Sequence, residues 1–331
     1  MKKFANYYSV FRYIIYVFLI ICFTENYLLI CRYPLNDAHN PLANSNERFA
    51  KLLGWDNKPN MKFEHNIEEP VIGQENVDHS GRCYHGKDVI NPSKRFLFLG
   101  CSYAFGTEIA DEDTFIYKTA QRFPQFQFDN YSVPGYGTHQ CRQKMEQLLS
   151  KTNCPKYTAI IYVFMNAHPI RMAYNYSSYL NKKNELIGIS PYVDLSWDGK
   201  AKYHPCDEQF LPCTDLLRIS AFFNNLFAVV KSKYSRKSSY ENRIYNAVLD
   251  DMLCLAKVHE LDLYVFILDY SEFYVNQDII DKGLNVYDAR LKQLYCDPKY
   301  HVNNDVTRHP NGLANDYWAN RLTVLLNKNF Q

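Results

Sequence analysis

Short continuous apolar runs alternate with amphipathic segments through most of the chain. The runs predict buried strands, and the amphipathic segments predict helices. The predicted strands cover residues 96–99, 126–133, 158–164 and 261–268, and the predicted helices cover 113–122, 139–150, 242–258 and 312–326. Strands that alternate with helices usually form a parallel sheet with helices on both faces. We therefore expect an α/β fold, a three-layer α/β/α sandwich with a central parallel sheet, over residues 91–331.

Two regions interrupt this alternation. Residues 32–90 are rich in Asn, Pro, Asp, His and Gly and show little periodicity, which indicates a linker and an irregular lead-in to the domain. Residues 170–235 contain many turn formers. We expect them to form an insertion or cap over one edge of the sheet.

The first 31 residues have the pattern of a signal peptide or an N-terminal membrane anchor. Lys2 and Lys3 precede an apolar stretch over 13–23, and a second short apolar piece follows at 27–31. No small-x-small cleavage site follows, which favours an uncleaved anchor over about 10–30, and an ordinary buried helix is the alternative. With both lysines inside, the rest of the chain would be exported. We expect a membrane-anchored protein with an exported, periplasmic domain, or a secreted one.

Composition removes several other classes of protein. The chain has 331 residues, 47% of them hydrophobic, and a net charge of +2, so nothing suggests a nucleic acid partner. Its 10 cysteines include no C-x-x-C pair, and no Cys/His set has zinc-finger spacing. We expect no metal and no cofactor. In an exported protein, Cys206 and Cys213 could close a short loop.

The sequence 95–106 has the features of a turn that presents a nucleophile. The first buried run ends at Gly100, whose missing Cβ leaves room for a tight turn, and Ser102 follows two residues later. If a helix begins there, its free backbone N–H groups surround the hydroxyl and are ready to stabilise an oxyanion. Ser102 is therefore a candidate nucleophile, and we expect Cys101 to be a packed small residue.

Three further loops at predicted strand or helix ends carry suitable chemistry. Gly135 offers an unobstructed backbone N–H, and Asn166 offers a side-chain amide. Asp305 and His309 supply a carboxylate and an imidazole just before the last helix. Acyl transfer requires a nucleophile, a base, an acid that orients the base, and donors for the oxyanion.

Other polar residues of these loops are weaker candidates. His139 and His168 could touch a substrate, but we expect them to lie behind the site or at the surface. Asp269, which follows the strand predicted over 261–268, is a reserve candidate for a substrate contact.

Four sequence blocks resemble those of the SGNH (GDSL-like) hydrolases, in the same order and over residues 94–327. They are Gly-x-Ser-x-x-x-Gly at 100–106, Asn-x-x-x-x-Gly at 130–135, the single Asn166, and Asp with His-Pro at 305–310. Phrases at 111–115, 133–138 and 309–311 resemble the bacterial exported branch of that family. The resemblance implies the flavodoxin-like fold of these hydrolases. It also implies that Ser102 is the nucleophile, that His309 is the base, and that the Ser102 N–H, the Gly135 N–H and the Asn166 side chain form the oxyanion hole.

The chain departs from the family pattern at three places. Cys101 stands where the family usually has Asp, and Phe164 and Ala167 replace the usual Gly and Asp around Asn166. The acid normally lies three residues before the histidine, where this chain has Val306. We predict that Asp305, one residue further back, reaches His309 Nδ1 through a local bulge. The alternative is a Ser-His pair oriented by a backbone carbonyl.

These observations predict a serine esterase that acts on an acyl ester, for instance an acetyl ester, of a small molecule, glycan or lipid. Ser102 would attack the carbonyl, His309 would take its proton, and water would resolve the acyl-enzyme. Two alternatives stay open. One is an O-acyltransferase that modifies an exported polysaccharide, and the other is a catalytically silent binding module.

Overall fold

The computed structural model describes residues 16, 47–50, 53–57, 82–85, 92–172, 191–205, 238–270 and 274–331. Except for residue 16, the predicted signal peptide or anchor lies outside these residues, as do Cys206 and Cys213. Within the described part, none of the helices has both the length and the apolar character needed to cross a bilayer.

The centre of the molecule is a six-stranded sheet. The strands are β1 Glu47–Ala50, β2 Gly54–Asn57, β3 Arg82–His85, β4 Lys94–Leu99, β5 Phe126–Asn130, β6 Ala159–Phe164, β7 Tyr192–Leu195, β8 Ala201–His204, β9 Asp262–Ile267 and β10 Asn285–Asp288. The sheet has the order β10-β9-β6-β4-β5-β3. All its pairings are parallel except that of the edge strand β3 with β5. Counted along the chain, the parallel strands have the order 2-1-3-4-5, which is the flavodoxin-like order.

Helices cover both faces of this sheet. The α-helices are α1 Ser102–Phe105, α2 Phe115–Arg122, α3 Thr138–Leu149, α4 Ala167–Met172, α5 Ser238–Val258, α6 Gln277–Asp281 and α7 Gly312–Phe330. Short 3-10 helices occupy Asp111–Asp113, Pro298–Tyr300 and Val302–Asn304. Alternate residues of a strand face opposite sides, so β4 and β6 contribute to two separate cores.

The two cores define three layers. Leu97 and Leu99 of β4 pack with α3 and α5 in one core, whereas Phe96 and Phe98 pack with α2 and α7 in the other. Each core is built almost entirely from buried apolar side chains, and burial of such side chains is the main favourable term in folding. The predicted three-layer α/β/α sandwich with a central parallel sheet is therefore confirmed.

The strand order reverses between β4 and β6, because the chain leaves β4 towards β5 on one side and returns to β6 on the other. Open α/β sheets bind ligands at this switch point, outside the carboxyl ends of the strands. Ser102 follows β4 and Asn166 follows β6. The topology therefore puts two of the predicted site residues on either side of this crevice.

The eight predicted strands and helices are confirmed, with end points that shift by a few residues. The structure adds two edge strands to the sheet, β3 and β10, and it adds the antiparallel hairpin of β7 and β8. This hairpin lies within 170–235, and the Tyr203 hydroxyl donates to Asp251 of α5 at 2.6 Å. Most of the predicted insertion, 173–190 and 206–235, lies outside the described residues.

Parts of 32–90, the expected linker and irregular lead-in, belong to the folded domain. Strands β1 and β2 form an antiparallel hairpin, and Asp56 of β2 makes a buried ion pair with Lys144 of α3 at 2.8 Å. The Asn57 amide donates to the Ser132 carbonyl at 3.2 Å, and the Gln140 amide donates to the Leu53 carbonyl at 2.7 Å. The hairpin thus supports the loop that contains Gly135.

Candidate active site

The turn after β4 depends on the glycine at position 100. A Cβ on Gly100 would lie 2.9 Å from the Ala104 Cβ and 3.2 Å from both Ser132 Oγ and Val163 Cβ. No larger residue fits without moving the neighbouring loop or strand. Cys101 is 1% exposed and its Sγ lies 3.0 Å from Met165 Sδ, which places it in the core.

Ser102 is the first residue of α1, a single turn of helix. The residue is 6% exposed. The N–H groups of Gly106 and Thr107 donate to its carbonyl at 2.9 and 3.0 Å, which closes the turn, and Gly106 ends the helix with a φ of 82°. The first N–H groups of a helix have no intrahelical partner, so the Ser102 N–H is available to a bound oxyanion.

Gly135 lies in a tight turn that the sequence Val133-Pro134-Gly135-Tyr136 favours. The Tyr136 N–H donates to the Val133 carbonyl at 3.2 Å, and Gly135 has a φ of 82°, as the third residue of a type II turn requires. The Val133 N–H donates to the Gly100 carbonyl at 3.2 Å, which joins this loop to the nucleophile turn. Within the described part of the chain, no group accepts a hydrogen bond from the Gly135 N–H.

The opposite side of this loop is held by Arg171 of α4. Its Nη1 donates to the Tyr136 carbonyl at 3.0 Å. The Arg171 stem also packs against Gly137, where an added Cβ would lie 3.0 Å from the Arg171 Cβ. The loop of Gly135 and the helix that follows Asn166 are therefore connected directly.

Asn166 is anchored through its backbone. Its N–H donates to both carboxylate oxygens of Asp269, at 2.9 and 3.2 Å. Asp269 lies just after β9 and is fully buried. Its carboxylate is therefore surrounded by protein and is not placed to make the substrate contact suggested as its reserve role. The Tyr295 hydroxyl donates to Asp269 Oδ2 at 2.5 Å.

The loop before α7 presents His309. His301 is buried below it, with Nδ1 2.8 Å from the Arg308 carbonyl and Nε2 2.5 Å from the Leu294 carbonyl. The Val302 N–H donates to the His309 carbonyl at 2.9 Å. Asn311 caps α7 by accepting from Leu313 and Ala314. These contacts fix the backbone on both sides of His309.

The carboxylate at His309 belongs to Glu108, in the loop that follows α1. Glu108 Oε2 lies 3.4 Å from His309 Nδ1 and accepts the His309 backbone N–H at 3.2 Å. Arg308 donates to the same carboxylate from Nη2 at 2.9 Å and from Nε at 3.3 Å. The Glu108 carboxylate is thus held beside the His309 ring by the Arg308 guanidinium, which donates twice, and by the His309 backbone N–H.

Asp305, the acid predicted from the sequence, is not at His309. Its Oδ1 accepts from Thr307 N at 2.9 Å and from Thr307 Oγ1 at 2.8 Å, and the residue is exposed. A short Asp side chain that folds back on the backbone two residues ahead forms a local turn, and this geometry turns its carboxylate away from the ring. The predicted contact between Asp305 and His309 Nδ1 is therefore corrected to one between Glu108 and His309 Nδ1.

Glu108 is held in an unusual backbone conformation. Its φ is 70°, in the left-handed region that a side chain other than glycine seldom adopts. A backbone in this conformation costs on the order of 1 kcal/mol, and such residues tend to occur at functional sites.

The environment of Glu108 also determines its charge. Burial raises the pKa of the Glu108 carboxyl, but the hydrogen bonds from Arg308 and from the His309 N–H outweigh burial and hold this pKa below its usual range. Glu108 is therefore a carboxylate near neutral pH.

Tyr103 links the serine and the histidine. Its ring packs edge-on against the His309 ring with centroids 6.0 Å apart, and the Trp318 ring packs against it at a tilt with centroids 6.1 Å apart. Since Tyr103 is the residue after Ser102, this contact brings His309 to the nucleophile turn. Burial is the main reason that the pKa of Tyr103 rises to about 12, so its hydroxyl keeps its proton.

His139 and His168 are both fully buried. His139 Nε2 pairs with the Pro191 carbonyl at 2.8 Å, and His168 Nδ1 pairs with the Tyr162 hydroxyl at 2.7 Å. Burial lowers the pKa of His139 to about 4 and that of His168 well below its usual value, so both rings are neutral. They lie behind the site, as expected. Among the described side chains, no group of three or more His, Cys, Asp and Glu residues could hold a metal ion.

Sequence reasoning missed Glu108, Tyr103 and Tyr295. The missing acid at Val306 was a signal that a carboxylate must come from elsewhere, and Glu108 is the acidic residue nearest in sequence to Ser102. Its partner is about 200 residues away, so no local pattern links the two.

Fold and site together define a class: a flavodoxin-like α/β protein with a serine, a histidine and a carboxylate at the switch point of its sheet.

No protein-family model and no curated protein sequence matches the chain.

Solved structures to which the chain is similar include TesA, with 8% identity and a TM-score of 0.42 over 71% of this chain and 99% of that one. A second is a member of the lipolytic protein G-D-S-L family from Veillonella parvula DSM 2008, with 10% identity and a TM-score of 0.39 over 72% of this chain and 98% of that one. A third is a catalytic mutant of Axe2, an acetylxylan esterase from Geobacillus stearothermophilus, with 10% identity and a TM-score of 0.37 over 74% of this chain and 98% of that one.

Proposed function

We propose that the protein is a serine hydrolase that cleaves an ester bond, with Ser102 as nucleophile, His309 as base and Glu108 as the acid that orients the base. The observation that carries the proposal is the contact of 3.4 Å between Glu108 Oε2 and His309 Nδ1. Catalytic hydrogen bonds are often long in unliganded sites, and they tighten when substrate binds. A carboxylate at Nδ1 favours the tautomer in which Nδ1 carries the proton. Nε2 is then free of a proton and can accept the one from Ser102.

The reaction proceeds in two halves. Ser102 Oγ attacks the ester carbonyl carbon while its proton moves to His309 Nε2, and the carbonyl oxygen becomes an oxyanion. The carbon–oxygen bond to the alcohol then breaks, and the alcohol leaves with the proton from His309. In the second half, His309 takes a proton from water, and the resulting hydroxide attacks the acyl-enzyme. The acid is released and Ser102 regains its proton.

Three donors are assigned to the oxyanion in this proposal. They are the N–H of Ser102 at the start of α1, the N–H of Gly135 in its turn, and the side-chain amide of Asn166. Each comes from a different loop at the carboxyl end of the sheet. Loss of one such donor usually lowers kcat by about 10²–10³-fold.

Turnover of p-nitrophenyl acetate by the full chain tests the proposal. Ser102→Ala should abolish it, and a fluorophosphonate probe should label Ser102 of the wild type. Ser93→Ala is a matched control, because Ser93 precedes the other end of the same strand and, within the described residues, its hydroxyl hydrogen-bonds the Gln125 carbonyl alone. Labelling at Cys101 or Ser132, or a wild type that neither turns over ester nor reacts with the probe, would overturn the proposal.

An assay with acetylated oligosaccharide distinguishes an esterase from an O-acyltransferase and from a silent binding module. We propose that water is the acceptor of the acyl group, so acetyl should be released as acetate in the presence of acetylated oligosaccharide. Acetyl that appears on a second sugar would make the protein an O-acyltransferase. Binding of the oligosaccharide without any turnover would make it a silent binding module.

We also propose that residues 1–31 export the domain and leave it membrane-anchored or secreted. The support is the pattern of Lys2 and Lys3 followed by apolar residues. Fractionation of cells, with alkaline extraction of the membranes, tests this. Recovery of the full chain from the cytoplasmic fraction alone would contradict it.

A further inference from the structure

Asp269 occupies a position that the proposed reaction does not use. It follows β9, the strand beside β6, and is fully buried. Both its oxygens accept the backbone N–H of Asn166, at 2.9 and 3.2 Å. A buried carboxylate is costly unless several donors satisfy it, and here one of those donors is the backbone of a proposed oxyanion residue.

A second hydrogen bond connects Asp269 to the other side of the site. The Tyr295 hydroxyl donates to Asp269 Oδ2 at 2.5 Å, and Tyr295 is also hydrogen-bonded to the Tyr103 hydroxyl. The ring of Tyr103 in turn packs against His309. A continuous chain of contacts therefore runs from the Asn166 backbone to the His309 ring.

We propose that Asp269 is a positioning residue that acts through Asn166, by fixing the backbone from which the Asn166 amide is aimed at the oxyanion. This inference rests on the proposed hydrolase function and adds a residue to it. Asp269 does not touch substrate. Its contribution is that the amide is already in place when charge develops on the substrate oxygen, which is the condition for an effective oxyanion donor.

The ionised form of Asp269 is the one that performs this role. A carboxylate accepts from Asn166 and Tyr295 at once, whereas a protonated carboxyl must itself donate from one oxygen. Burial raises the pKa of Asp269 to about 6, against the opposing effect of the hydrogen bonds from Tyr295 and Asn166. The titratable groups that face it in the described structure are Tyr295 and Tyr103, and burial keeps both of these protonated. Turnover should therefore fall as Asp269 gains its proton.

The test is a double-mutant cycle on ester turnover, with Asp269→Asn, Asn166→Ala and the combined variant. Asp269→Asn keeps the shape of the side chain but leaves only one oxygen that can accept a hydrogen bond. We therefore expect kcat to fall roughly tenfold with KM nearly unchanged. Asn166→Ala should lower kcat by about 10²–10³-fold. In the Asn166→Ala background, Asp269→Asn should have no further effect, because the amide that Asp269 positions is gone. The pH profile of Asp269→Asn should also lack the component near pH 6.

Asp281→Asn is the matched control, since Asp281 is an exposed residue of α6 whose carboxylate accepts a hydrogen bond from Gln277. It should leave kcat and the pH profile unchanged. The inference would be overturned if Asp269→Asn turned over ester as fast as the wild type, or if it lowered kcat equally in the wild-type and Asn166→Ala backgrounds. The proposed hydrolase function would stand in either case. A wild type without turnover or probe labelling would instead remove the proposed function.

Discussion

The carboxylate of Glu108 and the imidazole of His309 meet across about 200 residues of sequence, with Oε2 3.4 Å from Nδ1. Glu108 lies in the loop that directly follows α1, the helix that begins at Ser102, so one short segment supplies both the candidate nucleophile and the candidate acid. His309 needs only to approach this one loop. The arrangement explains why the position three residues before His309 can be the exposed Val306.

Replacing Glu108 and Asp305 one at a time shows which of the two is the catalytic acid. Glu108→Gln removes the charge at His309 Nδ1 and lets the ring adopt the wrong tautomer, and the loss of the corresponding group in a serine triad costs about 10⁴ in kcat. We expect a fall of roughly 10²–10⁴-fold for Glu108→Gln. Asp305→Asn should retain turnover within about a factor of two, because the exposed Asp305 carboxylate hydrogen-bonds Thr307 alone among the described residues.

Steady-state kinetics on p-nitrophenyl acetate measures both variants, and the melting temperature reports whether each variant is still folded. If Asp305→Asn were the inactive variant and Glu108→Gln the active one, the assignment of the acid would be reversed. If neither loses activity, a backbone carbonyl is the better candidate for orienting the ring.

The lowered pKa of Glu108 predicts how the stability of the protein depends on pH. It is lowered from 4.5 in the folded protein, so the folded state releases this proton more readily than the unfolded state. The stability that Glu108 contributes is then fully present above about pH 4.5 and is lost as the pH falls through the lower, folded value. The difference in unfolding free energy between wild type and Glu108→Gln should be constant from pH 7 to 5 and shrink below pH 4.5. Urea unfolding at several pH values measures it, and a gap that grows in acid would contradict the ion pair with Arg308.

The sequence predicts well those elements whose chemistry is local. β4 and β6 are buried on both faces, so each appears as a continuous apolar run, and Gly100 marks the turn because only glycine fits there. Ser102 follows from the same local pattern. Glu108 does not, because its role depends on a contact with His309 that only the folded chain creates.

The edges of the sheet were missed for a different reason. β10 alternates between half-buried and exposed residues, and it is only four residues long. β3 is equally short and pairs antiparallel to its neighbour. Short edge strands bury one side at most, so they lack the continuous apolar run that identifies a central strand.

Gly100→Ala should destabilise the domain at the nucleophile turn. The new Cβ would lie 2.9 Å from the Ala104 Cβ, and its other neighbours belong to the Gly135 loop and β6. Overpacking of this kind costs typically about 1–3 kcal/mol, and here it also displaces Ser102. We expect a lower melting temperature together with a loss of fluorophosphonate labelling.

Gly312→Ala is the matched control for this substitution. The three atoms nearest to a Cβ there all belong to the exposed Asp113 side chain, which can move, and alanine is a better helix former than glycine in the first turn of α7. Its melting temperature should be equal to or above that of the wild type. If Gly100→Ala were equally stable and fully labelled, close packing at the turn would not be what positions Ser102.

Asp269 should have the opposite dependence of stability on pH from that of Glu108. Its pKa is raised from 3.8 to about 6 in the folded protein, mainly by burial, so the folded state holds this proton more tightly than the unfolded state. Stability is therefore lost as the pH rises from about 4 to about 6, by roughly 3 kcal/mol at 1.36 kcal/mol per pKa unit. Asp269→Asn does not titrate. Relative to the wild type, the free energy of unfolding of Asp269→Asn should be larger at pH 7 than at pH 4 by this amount, as urea unfolding at the two pH values would measure. A difference independent of pH would mean that Asp269 is no more costly to ionise in the folded protein than in water. If the variant gains stability at pH 7 while losing turnover, the buried charge is retained at a cost to the fold, as expected for a group that serves the site.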